Sequence, residues 1–324
     1  SYKTDEHPIW CPGCGDFGVL ASLYNALAGL SINPKDLVVV SGIGCSGRTP
    51  GFIKSYGFHT LHGRVLPVAL GVKLANPSLQ VIGVGGDGDG FAIGGGHIPH
   101  AARRNPDMAY LIMDNSTYGL TKGQYSPTSP PGFQAGSTPY GNIEQSLNPL
   151  AMLIAYGATF VGQGYSGKPR ELADLITRAI EHKGFAFVNI ISPCITFYNT
   201  YKVIPPRLAE VPKEHDVTDR AKAFALTLQT DHVALGVFYQ VQQPTFEDGV
   251  TQIIQKAKAA KPFAEKIITL GKKGSLHHRQ LATSALGSTV AAKNAVQKVF
   301  GELKERFASR PGGYTRILRL PRTI

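Results

Sequence analysis

The 324-residue sequence contains no run of 18 apolar residues, and this absence argues against a transmembrane helix. Its first ten residues carry charges and a proline before any apolar stretch, so we expect no signal peptide and a cytoplasmic location. Cysteine is scarce, with 4 residues, which argues against a disulfide scaffold and for a metal or redox site. Hydrophobic residues are not scarce, and at 43% they exclude wholesale disorder.

Acidic residues are nearly missing from the last quarter of the chain. Residues 251–324 hold 15 Lys and Arg but only 3 acidic residues, whereas residues 1–250 hold 18 basic and 19 acidic ones. The last quarter also lacks cysteine. This break in composition predicts that the tail differs from the rest of the chain in its partner.

The first 200 residues alternate short β-branched runs with longer helical stretches. This alternation predicts a doubly wound, mostly parallel α/β sheet, whose ligands bind at the carboxyl ends of the strands. We expect strands at 36–41, 79–84, 109–114, 158–161 and 186–191, and helices at 17–30, 66–75, 91–104 and 169–183. The loop from Gly119 to Gly141 is long and is expected to cover a site.

Two glycine patterns follow predicted strands, at Gly42–Gly47 and Gly83–Gly88. Each matches the dinucleotide fingerprint, but a nicotinamide site needs an acidic residue about 20 positions later. After the first pattern that position holds His62, and in the second Asp87 stands where backbone amides should meet pyrophosphate. A nicotinamide site is therefore disfavoured.

A magnesium site explains the second pattern better. Asp87 follows one predicted strand, and Asn115 follows the next, 28 residues later. Parallel strands bring these side chains to one edge of the sheet, where phosphate oxygens and water can complete the shell of Mg²⁺. The carbonyl of Thr117 is a third candidate ligand. This spacing resembles the thiamine-diphosphate motif; a Gly-Asp turn with an unrelated asparagine cap is the alternative.

The four cysteines form one CxxC pair, Cys11 and Cys14, and two single residues, Cys45 and Cys194. A zinc site, a redox dithiol and buried unpaired thiols are all compatible with this pattern. Two matched pairs would favour zinc, whereas one pair with two dispersed cysteines suits an iron–sulfur cluster with four thiolates.

Several motifs together resemble the β subunit of 2-oxoacid:ferredoxin oxidoreductases, in order from about residue 8 to 249, and most closely its 2-oxoglutarate branch. They are WCPGCGD at 10–16, SGIGCS at 41–46, GFHTLHGR at 57–64, GDGD at 86–89 and YGLTKGQYSPT at 118–128. The resemblance implies a [4Fe-4S] cluster on Cys11, Cys14, Cys45 and Cys194, and Mg²⁺ on Asp87, Asn115 and the Thr117 carbonyl. It also implies thiamine-diphosphate contacts from Ile43, Gly44, Cys45, Ser46, His62, Gly88, Asp89, Gly119 and Leu120.

The activity implied by this resemblance is oxidative decarboxylation of 2-oxoglutarate or a related 2-oxoacid, such as pyruvate. Coenzyme A receives the acyl group and ferredoxin receives the electrons. Because residues 1–200 contain only one α/β domain, an α subunit is expected to supply the acid that activates the cofactor. Residues 201–250 are expected to pack on this domain or on the partner. A thiamine decarboxylase without a cluster is a further alternative.

Three charged or titratable residues are candidates for catalysis. His62 lies in a His-Gly-Arg turn, where it either contacts the cofactor or caps a helix. Lys122 and Arg48 either bind substrate carboxylates or are solvated surface charges. Lys122 lies in the loop expected to cover the site, and a buried carboxylate of 2-oxoglutarate needs a charged partner.

Residues 251–324 resemble the C-terminal part of the seventeenth protein of the bacterial large ribosomal subunit. The stretches KAKAAKPFAEKIITLG, HHR and RPGGYTR carry this resemblance. Its basic face could bind RNA. The alternatives are a stabilising appendage and an accident of gene joining or sequence assignment.

Overall fold

The structure, a computed structural model, describes residues 2–318. The chain divides into two compact units between Glu247 and Asp248. The first unit contains an eight-stranded sheet in the order β2-β1-β3-β4-β6-β5-β8-β7. Its elements are α1 (Asp16–Leu30), β1 (Leu37–Ser41), β2 (Tyr56–His59), α2 (Val65–Ala75), β3 (Gln80–Gly86), α3 (Ile98–Arg104), β4 (Met108–Asp114), α4 (Pro149–Tyr156), β5 (Phe160–Tyr165), α5 (Pro169–Glu181), β6 (Phe185–Ile191), β7 (Leu208–Glu210), α6 (Arg220–Thr227) and β8 (Val233–Gln240).

The sheet is parallel from β2 to β5, and β8 joins β5 in the antiparallel direction. Successive side chains of a strand point to opposite faces. In β4, Leu111 packs in the core on the side of α1 and α5, whereas Tyr110 and Ile112 pack on the side of α2, α3 and α4. The predicted doubly wound, mostly parallel sheet is therefore confirmed.

The strand order reverses direction at β1, with β2 on one side and β3 on the other. Doubly wound sheets bind ligands beside such a switch point, outside the carboxyl ends of the strands. Here the glycine-rich loops after β1 and β3 meet. The polar residues singled out from the sequence are concentrated in these loops and in the loop after β4.

The expected helix over 91–104 is interrupted. A π turn spans Gly88–Ile93 and a 3₁₀ turn spans Gly95–His97 before α3 begins. A Cβ at Gly94 would lie 2.5 Å from the Asp89 carbonyl oxygen, so the chain needs glycine where it passes this loop. The edge strand β2 was not expected from the sequence; all four of its residues are exposed.

The second unit contains all but the first two residues of α7 (Phe246–Lys273), together with α8 (Leu276–Leu286), α9 (Val290–Lys298) and the short α10 (Lys304–Arg306). Ile267, Ala282 and Val299 form the centre of its small hydrophobic core. The Glu265 carboxylate accepts hydrogen bonds from the backbone N–H groups of Tyr314, at 2.9 Å, and Thr315, at 2.7 Å. These bonds anchor the RPGGYTR stretch to α7.

Candidate active site

One cavity of about 460 Å³ opens at the switch point of the sheet. It is lined by the loops after β1, β3 and β4 and by His62, which follows β2. Every cofactor contact and magnesium ligand expected from the sequence lines it: Ile43, Gly44, Cys45, Ser46, His62, Asp87, Gly88, Asp89, Asn115, Thr117, Gly119 and Leu120. The structure thus brings residues from four separate motifs to one site.

Asp89 joins the loops on two sides of this cavity. Its Oδ1 accepts hydrogen bonds from the backbone N–H of Ile43 at 2.9 Å, from that of Gly63 at 2.8 Å, and from the His62 ring at 2.9 Å. Its Oδ2 is buried without a hydrogen-bond partner in the described structure. A Cβ on Gly42 would overlap this carboxylate, which explains the glycine there. This oxygen lies against Gly42 and Gly85, at the ends of β1 and β3.

Asp87 and Asp114 are two buried carboxyl groups at the ends of β3 and β4, and Asp87 lines the cavity. Burial, and then the nearby charge of Asp114, raise the pKa of Asp87 to about 7. Burial also raises the pKa of Asp114. Within residues 2–318, neither carboxylate forms an ion pair with a lysine or arginine. A divalent cation would supply the missing positive charge.

The other expected magnesium ligands are positioned by a tight turn after β4. The Asn115 side-chain oxygen accepts a hydrogen bond from the Thr117 N–H at 3.1 Å. The Thr117 carbonyl accepts from the Gly119 N–H at 3.1 Å. Each oxygen retains a second lone pair. In residues 2–318 no three His, Cys, Asp or Glu side chains form a cation site. The expected set has only one carboxylate, which fits Mg²⁺ completed by diphosphate and water.

Of the four cysteines, Cys45 lines the cavity, and Cys194 lies close to the cavity-lining Gly119. A Cβ on Gly119 would lie 3.5 Å from Sγ of Cys45 and 3.7 Å from Sγ of Cys194, so both thiols flank this glycine. Cys14 and Cys11 form a turn closed by a 2.9 Å backbone hydrogen bond, and the N–H of Gly15 donates to the Pro193 carbonyl, beside Cys194. The CxxC turn therefore lies next to the segment after β6 that carries the fourth cysteine.

The thiols share one electrostatic environment. Burial, followed by the charge of Asp16 and the charges of Cys194 and Cys11, raises the pKa of Cys45 to about 11. Burial also raises the pKa of Cys14, and the charges of Asp16, Cys45 and Cys194 raise it further. All four cysteines are free rather than disulfide-bonded. In residues 2–318 the cysteines do not form a metal-binding group, so the iron–sulfur cluster stays a prediction from the sequence.

Asp16 is a cavity residue that the sequence did not single out. It is buried, and its Oδ1 accepts a 2.6 Å hydrogen bond from the Ser192 hydroxyl, while its Oδ2 has no partner in the described structure. Burial raises its pKa to about 6, although the hydrogen bonds from Ser192 and Cys14 lower it. Its position two residues after Cys14, at the end of the WCPGCGD motif, is the feature of the sequence that could have identified it. Thr121, Gln124 and Tyr118, also not singled out, line the same cavity.

The two candidate substrate cations lie outside this cavity wall. Lys122 is exposed, in a left-handed turn with φ 77°, between Thr121 and Gln124, which do line the cavity. Arg48 is exposed on a different cavity of about 400 Å³, together with Glu6 and His59. The structure therefore leaves Lys122 beside the site and separates Arg48 from it.

Comparisons with known proteins agree with this arrangement. The family model for the C-terminal TPP-binding domain of thiamine pyrophosphate enzymes matches residues 42–190, which include most of the cavity. The model for the C-terminal part of the pyruvate ferredoxin oxidoreductase beta subunit matches residues 194–255. Ribosomal protein L17 matches residues 240–323. The fold and its cavity therefore define a thiamine-diphosphate-binding enzyme domain.

The relatives identify its family. Subunit beta of 2-oxoacid:ferredoxin oxidoreductase 2 from Aeropyrum pernix is 42% identical over 286 residues, covering 84% of this chain and 93% of the relative. The 2-oxoglutarate synthase subunit KorB of Methanocaldococcus jannaschii is 37% identical, covering 79% and 97%. The chain belongs to the 2-oxoacid:ferredoxin oxidoreductase β subunits, and both resemblances seen in the sequence are confirmed.

A solved structure carries the same fold. The 2-oxoglutarate:ferredoxin oxidoreductase from Magnetococcus marinus, with 2-oxoglutarate, coenzyme A and succinyl-CoA bound, is 46% identical and matches with a TM-score of 0.78. The match covers 79% of this chain and 89% of that one. As a β subunit, the chain has an α subunit as its partner. Across residues 2–318, no helix is long and apolar enough to cross a membrane.

Proposed function

We propose that this chain holds thiamine diphosphate, Mg²⁺ and a [4Fe-4S] cluster, and that with its α subunit it oxidises 2-oxoglutarate. The observation that carries the proposal is the shared cavity. Asp87, Asn115 and Cys45 all line it, and a Cβ on Gly119 would lie within 3.8 Å of both the Asn115 amide and the Cys45 thiol. A metal–diphosphate site and a thiolate ligand in this one cavity would bring an electron donor close to its acceptor.

Most of these residues would hold the metal and the cofactors, and His62 would orient them. Asp87, Asn115 and the Thr117 carbonyl would hold Mg²⁺, and the loops at 43–46, 88–89 and 119–120 would hold the cofactor. The cluster would rest on the four cysteines. When bound, these groups supply carbanion chemistry and single-electron transfer, while the protein supplies position and electrostatics. His62, whose ring Asp89 fixes, would orient the cofactor and its substrate.

The α subunit would complete the site. Residues 2–318 contain a single large sheet, and we expect a second domain to supply the acid that activates the cofactor. Two apolar side chains that line the cavity, Ile43 and Leu120, are 36% and 54% exposed. Such an exposed apolar rim is typical of a surface that a partner covers.

Lys122 is the candidate partner for the distal carboxylate of 2-oxoglutarate. Its turn follows the cavity-lining Gly119, Leu120 and Thr121, so its ammonium group is the lysine charge nearest this part of the cavity wall in sequence. Arg48, which the structure places on another cavity, is the weaker candidate. Coenzyme A as acyl acceptor and ferredoxin as electron acceptor complete the proposed reaction.

Cofactor analysis tests the proposal directly. The α and β subunits are purified together without oxygen and assayed for iron, acid-labile sulfide, thiamine diphosphate and magnesium. We expect a brown protein that reduces ferredoxin with 2-oxoglutarate and coenzyme A. Thiamine diphosphate and magnesium without iron would instead support a thiamine decarboxylase without a cluster. A colourless protein that contains bound RNA would contradict the enzyme assignment.

The tail supports a second candidate function of its own. Residues 251–324 carry 15 basic and 3 acidic residues, and residues 240–323 match ribosomal protein L17. We propose that this second unit binds nucleic acid through its lysines and arginines, as a separate property from catalysis. Retention of the full chain on immobilised RNA, compared with a chain ending at residue 250, tests it.

A further inference from the structure

A buried cluster of hydroxyl groups lies behind the proposed magnesium site. It belongs to the start of the long loop that the sequence suggested as a cover for the cavity. Thr128 is its centre: Oγ1 lies 2.8 Å from Oδ2 of Asp87 and 2.8 Å from Oδ1 of Asp114. This single hydroxyl therefore bridges the expected metal ligand and a second carboxylate.

A hydroxyl has one proton, so Thr128 can donate to only one of the two carboxylates at a time. Asp114 has other donors: the N–H of Ser116 at 3.1 Å to Oδ1 and the Asn189 amide at 3.3 Å to Oδ2. The proton of Thr128 is therefore available to Asp87. The Ser126 hydroxyl of the same turn also donates to the Asp87 carboxylate, so two hydroxyl groups of this turn hold Asp87.

The backbone around Thr128 is fixed from several directions. The Ser129 hydroxyl accepts from the Ser126 N–H at 2.8 Å and donates to the Ser116 carbonyl at 2.7 Å. The Leu147 N–H donates to the Pro127 carbonyl at 2.8 Å. Ser126 and Ser129 are 2% and 1% exposed. The turn at 126–129 is thus a buried support anchored to the end of β4, rather than part of a mobile cover.

The rest of the loop contrasts with this turn. Tyr140 and Ile143 are 98% and 93% exposed. Any covering movement therefore belongs to the exposed parts of the loop and not to the turn that carries Thr128.

We propose that Thr128 is a positioning residue for Asp87, so that the first part of this loop sets the affinity of the metal site. The inference rests on the proposed function, because it takes Asp87 as a magnesium ligand. Hydrogen-bond partners that orient metal ligands are commonly worth about 10- to 100-fold in metal affinity. Loss of the Thr128 hydroxyl should therefore weaken metal binding by about that factor.

The test uses the α/β complex after dialysis against EDTA. Mn²⁺ is added at a fixed concentration of thiamine diphosphate, and free Mn²⁺ is measured at room temperature by its EPR signal. For Thr128→Val, which keeps the shape but removes the hydroxyl, we expect the half-saturating Mn²⁺ concentration to rise about 10- to 100-fold. Thr128→Ser, which restores a hydroxyl, should return it close to the wild-type value.

Thr138→Val is the matched control. Its hydroxyl makes only a 3.4 Å hydrogen bond to the Phe133 carbonyl, in the same loop but away from the cavity. It should bind Mn²⁺ like the wild type. If Thr128→Val does not fold, as judged by circular dichroism, Thr128→Ala provides a second variant without the hydroxyl.

Two outcomes separate this inference from the proposed function. If the wild type binds Mn²⁺ together with thiamine diphosphate but Thr128→Val binds equally well, Thr128 does not position Asp87, while the magnesium site stands. If Thr128→Val and Thr128→Ser are weakened equally, the effect is not due to the hydroxyl, and the inference is overturned. If the wild type itself shows no such binding, the metal assignment of the proposed function fails and the inference fails with it.

Discussion

The buried carboxylates Asp87 and Asp114 (the carboxylate end of the site) are surrounded by hydroxyl and amide donors from several elements, whereas the four cysteines (the cysteine end) meet few donors in the described structure. Asp114 alone receives hydrogen bonds from Ser116, Thr128 and Asn189. For the cysteine sulfurs the clearest donor is the Phe197 N–H, 3.5 Å from Cys194. The carboxylate end is thus oriented by the protein itself, while the order of the cysteine end should depend on what the thiols bind.

Replacing Cys45 with alanine should have the largest effect, because the cysteine end has little other support. We expect loss of most of the iron and a decrease in ferredoxin reduction of at least about 100-fold, since loss of a ligand exceeds the effect of losing its hydrogen-bond partner. Iron and sulfide analysis with a ferredoxin assay measures both. Full iron content in the variant would refute Cys45 as a ligand.

Asp87→Ala should disable the carboxylate end alone. Without its charged ligand, the metal should no longer hold the diphosphate, so we expect thiamine-diphosphate affinity to fall by more than about 100-fold while iron content is unchanged. Calorimetric titration and iron analysis test this, with Asp174→Ala, an exposed aspartate on α5, as the control. Undiminished cofactor binding would remove Asp87 from the ligand set, and joint loss of iron would show that the two ends depend on each other.

Lys122→Ala should change the preference between 2-oxoglutarate and pyruvate without altering the carboxylate end or the cysteine end. A hydrogen bond to a charged group is worth about 1.5–3 kcal/mol, which corresponds to roughly 10- to 100-fold in kcat/KM for 2-oxoglutarate. Pyruvate has no second carboxylate, so its kcat/KM should change little. Steady-state kinetics with both substrates, beside the exposed control Lys35→Ala, provide the measurement. Equal losses on both substrates would assign the carboxylate contact to Arg48 or to the α subunit.

The carboxylate end should also make the metal-free protein sensitive to pH. Burial and the charge of Asp114 raise the pKa of Asp87 from 3.8 to about 7. The folded state then binds a proton that the unfolded state has lost, so stability should fall as pH rises from about 4 to about 7, by on the order of 1–4 kcal/mol. Thermal unfolding of the EDTA-treated complex measures this. Asp87→Asn should flatten the dependence; an equally steep profile in that variant would assign it to another group.

Deleting residues 251–324 should have the smallest effect on catalysis. All four cysteines and the expected magnesium ligands Asp87, Asn115 and Thr117 precede this segment. Ferredoxin reduction with the α subunit should therefore stay within about twofold, and retention on RNA should be lost. For the full chain, raising salt from about 50 to 200 mM should weaken RNA binding steeply. If the truncated chain no longer assembled with the α subunit, the tail would have to be counted as part of the enzyme.

The sequence predicted the parts of the fold that depend on local pattern. The helix ending at Leu30 and the strand ending at Ser41 have regular patterns and end where expected. The strand expected at 158–161 lies at Phe160–Tyr165, since Gly162 and Gly164 hide its pattern. Strand β2 escaped prediction because all its residues are exposed.

In the site, too, the sequence predicted the residues that belong to local motifs but not the contacts between residues far apart in the chain. The motif residues reached the cavity because they follow strands whose ends meet. The supporting contacts could not be read from the sequence, because they join residues far apart in the chain. Thr128 is 41 positions from Asp87, and Ser192 is 176 positions from Asp16. Arg48 was separated from the cavity by the short helical turn that carries it, whose geometry only the folded loop determines.

The Asp89 hydrogen bonds have a consequence for the order of assembly. They join this residue to positions 46 and 26 residues earlier in the chain, across the centre of the sheet. Contacts of such separation form only after the intervening loop has closed, so this site should be among the later features to appear during folding. A ligand that contacts both loops binds only the conformation in which the ends of β1 and β3 are joined through Asp89. Cofactor binding should therefore protect the central strands from hydrogen exchange and proteolysis, and not merely the loops that touch it.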